Sequence, residues 1–315
     1  MGPTASGKTD LAIEIAGVLD CELISVDSAL VYRGLDIGSA KPSYPHHLVD
    51  ICDPAVPYSA ANFVEDAERV VGEVISRGKT PLLVGGTMLY FKAFLEGMAQ
   101  MPASDPEVRQ QIETQARERG WPALHDELAS IDPESAARIH PNHSQRLSRA
   151  LEVYRVSGTP ISQWQKDTHR SGAFERFDVR QLALNPLDRG VLHARISRRF
   201  EQMLAAGFLA EVEGLRRRAD LHSALPAVRA VGYRQLWQHL EGDYSLAEAG
   251  DRVAAATRQL AKRQLTWLRK WPNLNWINTD EKGNLLAWSE SEQKWAQSAE
   301  SPLNAALNYL DRPSV

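Results

Sequence analysis

Gly2-Pro3-Thr4-Ala5-Ser6-Gly7-Lys8-Thr9 fits, without a mismatch, the phosphate-binding pattern of Gly, four free positions, Gly, Lys and Ser/Thr. Chemistry sets the spacing. Glycines let successive backbone N–H groups turn inward around an anion, the lysine ammonium reaches the outer phosphate, and the threonine hydroxyl ligates Mg²⁺ at a helix N-terminus. The bland alternative is a chance glycine-rich turn. Against it, Leu11, Ile13, Ile15, Ala16 and Leu19 supply the apolar stripe of a helix directly behind the motif. Such a loop also leaves a buried strand. Met1 alone precedes it here, so Met1 is expected not to be the functional start, and a strand of about five apolar residues is expected ahead of it.

Working outward, Glu22, Leu23, Ile24, Ser25 and Val26 read as a short buried strand, with Asp27, Ser28, Ala29 and Leu30 at its carboxyl end. Open α/β sheets place ligands at that edge. There the Asp27 carboxylate is a Mg²⁺ ligand, a general base, or a cap without chemistry. Residues 41–47 form an irregular loop in which His46 is a weak candidate, since adjacent loop histidines are commonly solvated. An amphipathic helix over 59–75 closes at Arg77, Gly78 and Lys79, and 81–84 is a second buried strand. Helix followed by strand predicts a parallel sheet. Gly85, Gly86 and Thr87 come next, with Thr87 as N-cap of a helix over 88–96, near the same sheet edge.

From Ser104 the texture changes to helices without strands. Ser104 and Glu107 have capping-box spacing, Gly120 ends that helix, and shorter helices follow over 121–130, 133–139 and 144–156, restarting at Thr159 and Pro160. In the 144–156 helix Leu147, Leu151 and Tyr154 face inward while Arg146 and Arg149 occupy another face. Residues 177–184 return to strand character. Asp188 caps a helix running through 206, whose buried stripe of Leu192, Ile196, Phe200 and Met203 leaves Arg195 and Arg199 one turn apart. Two such guanidinium groups repel unless an anion lies between them or core carboxylates pair with them. A helix is predicted over 226–240, carrying Arg229 to Arg234. Ser245 and Glu248 open another that runs to 270, with Val253, Leu260 and Trp267 on one side and Arg258, Lys262 and Arg269 opposite. Beyond Thr279 the chain is polar and weakly patterned.

The 315 residues suit one large domain or two smaller ones, and 43% hydrophobic residues suffice for an ordinary core. No run of about eighteen apolar residues occurs and no basic-then-apolar leader opens the chain, so cytoplasm is the default and membrane insertion is not expected. Cys21 and Cys52 lack zinc or disulfide spacing. The net charge of −4 conceals basic stretches at 138–170, 189–199, 216–234 and 252–270. They suggest a polyanion met locally, or solvated helix faces.

Taken together these residues resemble the bacterial tRNA dimethylallyltransferases, also called tRNA isopentenyltransferases. The resemblance rests on GPTASGKT (2–9), ISVDSALVYRGLDIGSAKP (24–42), PLLVGGTMLYFKA (81–93), DPEVR (105–109), HPNHSQRLSRALEVY (140–154), HARISRRFEQML (193–204), RAVGYRQ (229–235) and TRQLAKRQLTWLRKW (257–271). It implies a P-loop NTPase-like parallel sheet core over 1–103 and 171–280, an all-α insertion over 104–170 that contacts tRNA, and a polar tail over 281–315. It also implies Asp27, Thr87 and Arg199 as catalytic, and Gly2, Pro3, Thr4, Ala5, Ser6, Gly7, Lys8 and Thr9 as the diphosphate site, with Thr9 on Mg²⁺. For tRNA it implies Asp27, Ser28, Ala29, Leu30, Thr87, Arg109, Gln145, Arg146, Leu147, Ser148, Arg149, Arg229, Ala230, Val231, Gly232, Tyr233 and Arg234. The expected partners are the tRNA anticodon stem-loop and dimethylallyl diphosphate, met by a monomer. The loop over 42–46 is shorter than in several members, and the cysteine count leaves out the zinc finger that eukaryotic members add. A P-loop small-molecule kinase and a prenyltransferase acting on free adenine nucleotides are the competing readings.

Overall fold

Gly7 takes φ 90° and delivers the phosphate-loop sequence straight into α1 (Lys8–Ala16), whose Leu11, Ala12 and Ile15 are buried. These coordinates come from a computed structural model that describes residues 1–99, 101–167, 171–290 and 292–311. β1 (Cys21–Val26) ends in four consecutive buried residues, the pattern of a strand covered on both faces. α2 (Ala60–Ser76) opens on a capping box between Ser59 and Asn62 and buries Phe63, Val64, Ala67, Val70, Val71 and Val74 at helical spacing. β2 (Thr80–Gly85) then lies parallel to β1, with Val26 opposite Gly85. A Cβ at Gly85 would stand 2.0 Å from the Val26 carbonyl oxygen, so the two strands can end side by side only with glycine there. α3 (Met88–Glu96) follows, and the alternation makes this an α/β fold with a parallel sheet.

Residues Leu95–Phe177 form a separate compact unit. It is helical: α4 (Pro106–Arg119), α5 (Trp121–Ile131), α6 (Pro133–Arg138), α7 (Ser144–Ser157), α8 (Ile161–Asp167) and the single-turn α9 (Ala173–Arg176). Ile112, Leu124, Leu128, Leu147 and Leu151 make its core. The capping box expected at Ser104 does not form. Asp105 is the cap instead, because its carboxylate takes the N–H groups of both Glu107 and Val108 where a hydroxyl serves one, and Ser104 donates to Glu152 at 2.7 Å.

The other unit joins Met1–Phe94 to Asp178–Val315. Its second part runs through β3 (Leu182–Pro186), α10 (Arg189–Ala205), α11 (Phe208–Arg216), α12 (Tyr233–Leu240), α13 (Leu246–Leu268), β4 (Asn275–Thr279), β5 (Leu285–Ser289), β6 (Lys294–Gln297) and α14 (Pro302–Leu310). β3 and β4 are parallel, and β5 and β6 add antiparallel to the edge. Met1 donates to Leu182 O at 2.7 Å and accepts from Leu184 N–H at 3.1 Å, one rung of a ladder on β3.

Three expectations shift. The strand read from 177 begins at 182, since its partner β4 starts only at Asn275. The helix read over 226–240 begins at Tyr233, because Gly232 sits at φ 94°, where a right-handed helix cannot continue. The segment read as a polar, weakly patterned tail over 281–315 carries β5, β6 and α14. Their alternation is faint because an edge hairpin is exposed on much of both faces, with Trp288 and Trp295 packed edge to face at 5.7 Å. The expected boundaries at 103/104 and 170/171 both fall within Leu95–Phe177, and residues 168–170 lie outside the described residues. Among the described residues no helix is long and apolar enough to cross a membrane.

Candidate active site

One cavity of about 1580 Å³ occupies the α/β unit. Its wall brings together the phosphate loop from Thr4 to Thr9, the turn at 27–30, Thr87, His46, Arg195 and Arg199 of α10, the turn at 229–233, and one stripe of α13. Segments distant in sequence therefore converge where the parallel strands end, as open α/β sheets dictate.

The loop wraps the end of the cavity. Ala5 is held at φ 63° and Gly7 at φ 90°, which turns the backbone around the cavity. The first-turn N–H groups of α1 have no acceptor within the helix. Thr4 N–H is tied to Gln264 Oε1 at 2.8 Å. Lys8 Nζ donates to Pro3 O at 3.3 Å, and burial lowers its pKa to about 8, with Asp27 opposing the shift and Arg199 adding to it. Burial also lowers the Arg199 pKa, against the pull of Asp27 and Asp10. Among the described residues neither arginine of the pair makes an ion pair with a core carboxylate. Arg195 donates to the carbonyls of Ser6 and Glu281 at 3.4 and 3.2 Å, and Arg199 to that of Ser39 at 3.4 Å. Each guanidinium has five N–H donors, so spare ones remain for a ligand.

Asp27, whose charge acts on both Lys8 and Arg199, accepts at Oδ1 from Ala29 N–H at 2.8 Å and Leu30 N–H at 3.4 Å. The carboxylate thus caps its own turn with one oxygen, and capping does not exhaust it. Thr87 O accepts from Tyr90 and Phe91 N–H, the N-cap position expected, but its hydroxyl accepts from Ser28 N–H at 3.0 Å and so ties the Asp27 turn to the end of β2. Four residues of this wall carry a buried polar atom that lacks a partner among the described residues: Ser6 Oγ, Ser25 Oγ, His46 Nε2 and Thr279 Oγ1. Buried polar atoms are rarely left so. His46 is half-buried rather than solvated. Its Nδ1 lies 2.7 Å from Tyr44 O, and burial lowers its pKa.

Of the 229–234 stretch, Arg229, Ala230, Val231, Gly232 and Tyr233 line the cavity, whereas Arg234 is exposed elsewhere. Tyr233 is buried, its hydroxyl 2.6 Å from Glu211. Glu211 also takes the N–H groups of Asp36, Ile37 and Gly38 at 3.1, 2.7 and 3.2 Å, fixing the segment that presents Ser39 to Arg199. On α13, Val253, Leu260 and Trp267, read on one side of the helix, all line the cavity; Val253 is buried as well, with Ala249, Ala261, Leu265 and Leu268. Sequence reasoning missed Gln264 and Glu211. The signal for Gln264 was an amide at a core position of an amphipathic helix.

Within the helical unit, the tRNA candidates separate by environment. Leu147 is fully buried in the core. Arg109 donates to Glu152 at 3.1 Å, and Arg149 to Glu152 at 2.9 Å and Pro102 O at 2.7 Å, so these guanidinium groups serve a buried carboxylate. Burial raises the Glu152 pKa, but Arg149, Ser104 and Asp105 N–H outweigh it and hold the carboxyl below its usual value. Gln145 and Arg146 are exposed and Ser148 is half-buried.

Cations and a carboxylate gathered around one cavity that ends on a glycine-rich loop make it the candidate active site of an enzyme. The IPP transferase family matches residues 30–271, and the chain belongs to that family. It is similar to the tRNA isopentenylpyrophosphate transferase of Bacillus halodurans, with 37% identity over 88% of each chain and a TM-score of 0.63. The tRNA delta(2)-isopentenylpyrophosphate transferase of Staphylococcus epidermidis shares 32% identity over 99% of this chain and 97% of its own, with a TM-score of 0.65. A eukaryotic dimethylallyltransferase acting on tRNA shares 25% identity over 89% of this chain and 72% of its own, with a TM-score of 0.71.

Proposed function

We propose that this enzyme transfers a dimethylallyl group from dimethylallyl diphosphate to the exocyclic amine of the adenosine 3′-adjacent to the anticodon in tRNA. The observation that carries the proposal is the single cavity that gathers Lys8 and Arg199 with Asp27. Family membership and the relatives' activity on tRNA support it.

In the reaction the amine nitrogen forms a bond to C1 of the prenyl group, the C1–O bond breaks, and diphosphate leaves with the electron pair. Charge builds on the leaving oxygens, and Lys8, Arg199 and the first-turn N–H groups of α1 are the donors that would meet it. The amine must lose a proton. Asp27, oriented by the bonds from Ala29 and Leu30, accepts it at the free carboxylate oxygen. Thr87 holds the turn that carries this base. A base in a stacked loop must first be splayed out to reach such a site, a common mode of single-stranded RNA recognition.

The donors on the cavity wall fit Mg²⁺. Thr9 offers a hydroxyl at the start of α1, and the unpartnered Ser6 and Ser25 hydroxyls are hard oxygen ligands of the kind it takes. Bound there with diphosphate, the ion would supply further positive charge to the leaving group. In this reading the α/β unit is a P-loop NTPase-like core, the helical unit is an insertion that meets the anticodon stem-loop through its exposed Arg146, and the chain works as a cytoplasmic monomer. The test is the mass of unmodified tRNA after incubation with dimethylallyl diphosphate, Mg²⁺ and the protein. A gain of one prenyl group on the adenosine beside the anticodon is expected. Phosphate transfer from ATP to a small hydroxyl compound, or prenylation of free AMP in preference to tRNA, would replace the proposal with one of its rivals.

A further inference from the structure

Gln264 is 8% exposed, an amide on the apolar side of α13 between the buried Ala261, Leu265 and Leu268. A buried amide is costly unless both its functions are bonded. Here both are, to backbone groups far away in sequence: Oε1 accepts from Thr4 N–H at 2.8 Å and Nε2 donates to Gly86 O at 2.8 Å. Thr4 belongs to the phosphate loop. Gly86 precedes Thr87, whose hydroxyl holds Ser28, the neighbour of Asp27. The fit is close, since a Cβ at Gly86 would stand 2.4 Å from Gln264 Nε2. Because Thr4 N–H is spent on Gln264, the side chain shapes the loop and adds nothing directly to its grip on an anion.

We infer that Gln264 is a positioning residue, a single amide that sets the separation between the loop holding the leaving group and the turn holding the base. The inference rests on the proposed function, in which Lys8 and Asp27 act at opposite ends of one bond-exchange event. A misplacement of about 1 Å between groups so paired costs about 10²-fold in rate. No other side chain supplies an acceptor and a donor at these two places: leucine keeps the volume and loses both bonds, and asparagine keeps the amide on a stem too short to span them.

The test compares Gln264→Leu and Gln264→Asn with the parent protein in melting temperature, affinity for Mg²⁺-pyrophosphate by calorimetry, and steady-state prenylation of tRNA. For a variant that stays folded, the expected result is about a tenfold or greater loss of pyrophosphate affinity and a kcat lower by about 10- to 100-fold, with KM for tRNA within about twofold. Gln264→Asn should move in the same direction with a smaller change, and carries the test alone if the leucine variant fails to fold. Parental pyrophosphate affinity and kcat in a folded variant would overturn the inference. So would losses that merely follow the fraction of protein folded. The pyrophosphate arm decides on Gln264 even if the parent protein leaves tRNA unmodified, an outcome that would instead overturn the proposed function.

Discussion

The Lys8 ammonium carries the sharpest consequence at the scale of single residues. Burial lowers its pKa from 10.5 to about 8 in the folded protein. Between those values the unfolded chain binds more protons than the folded one, so the stability of the ligand-free protein should rise with pH from about 8 to 10.5. Diphosphate binding selects the charged form and works in the opposite sense. Affinity for dimethylallyl diphosphate should fall as pH climbs through about 8, and binding near pH 8.5 should take up protons, seen as a buffer-dependent enthalpy. A flat affinity with no proton uptake would show that Lys8 does not face the diphosphate. Asp27 is tested differently. Asp27→Asn should keep binding of both substrates while kcat drops by about 10² to 10⁴, and near-parental turnover at saturation would remove it as the base. Lys8 and Asp27 were legible in the sequence because a spacing rule and a strand end place them. Gln264 and Glu211 were not, since what they do depends on backbone partners 260 and about 174 positions away, which no local pattern encodes.

Among the elements, α7 and α13 show how far periodicity reaches. On α7 it correctly put Leu147 and Leu151 inward, but it could not distinguish Arg146 from Arg149. The difference is Glu152, buried one turn on, which engages Arg149 and leaves Arg146 at the surface. Arg149→Ala should therefore lower stability by about 1.5–3 kcal/mol in denaturant unfolding, through the charged hydrogen bonds it loses. Arg146→Ala should leave stability unchanged and flatten the log–log salt slope of tRNA binding by about 0.7, the share of one phosphate on a single strand. An unchanged slope would make Arg146 a solvated side chain. On α13 the seven-residue repeat of Val253, Leu260 and Trp267 marks a cavity wall. Amphipathicity reports which side is apolar, and an apolar cavity satisfies it as well as a packed interior does, so Trp267 remains 39% exposed on that wall.

At the scale of the whole molecule, the alternation of strand and helix was readable because each buried strand is a short apolar run between breakers. The antiparallel edge of the second sheet was not, since its strands are half solvated and their pairing is fixed by partners and not by pattern. Charge behaves likewise. A net charge of −4 gives no long-range attraction to a polyanion, and with a Debye length of about 8 Å at physiological salt, any affinity for tRNA must come from contacts made locally. Each neutralised phosphate of a single strand contributes about −0.7 to the slope of log affinity against log salt, so several exposed arginines acting together should give tRNA binding a slope of several units. The diphosphate meets a different environment, inside a cavity where Lys8 and Arg199 are half-buried. Its affinity should fall much less over the same salt range. Measuring both slopes on one preparation, from about 50 to 200 mM salt, separates the two kinds of electrostatics. Equal slopes would mean that RNA and diphosphate are held by the same screened charges, and the division of labour between cavity and surface would fail with them.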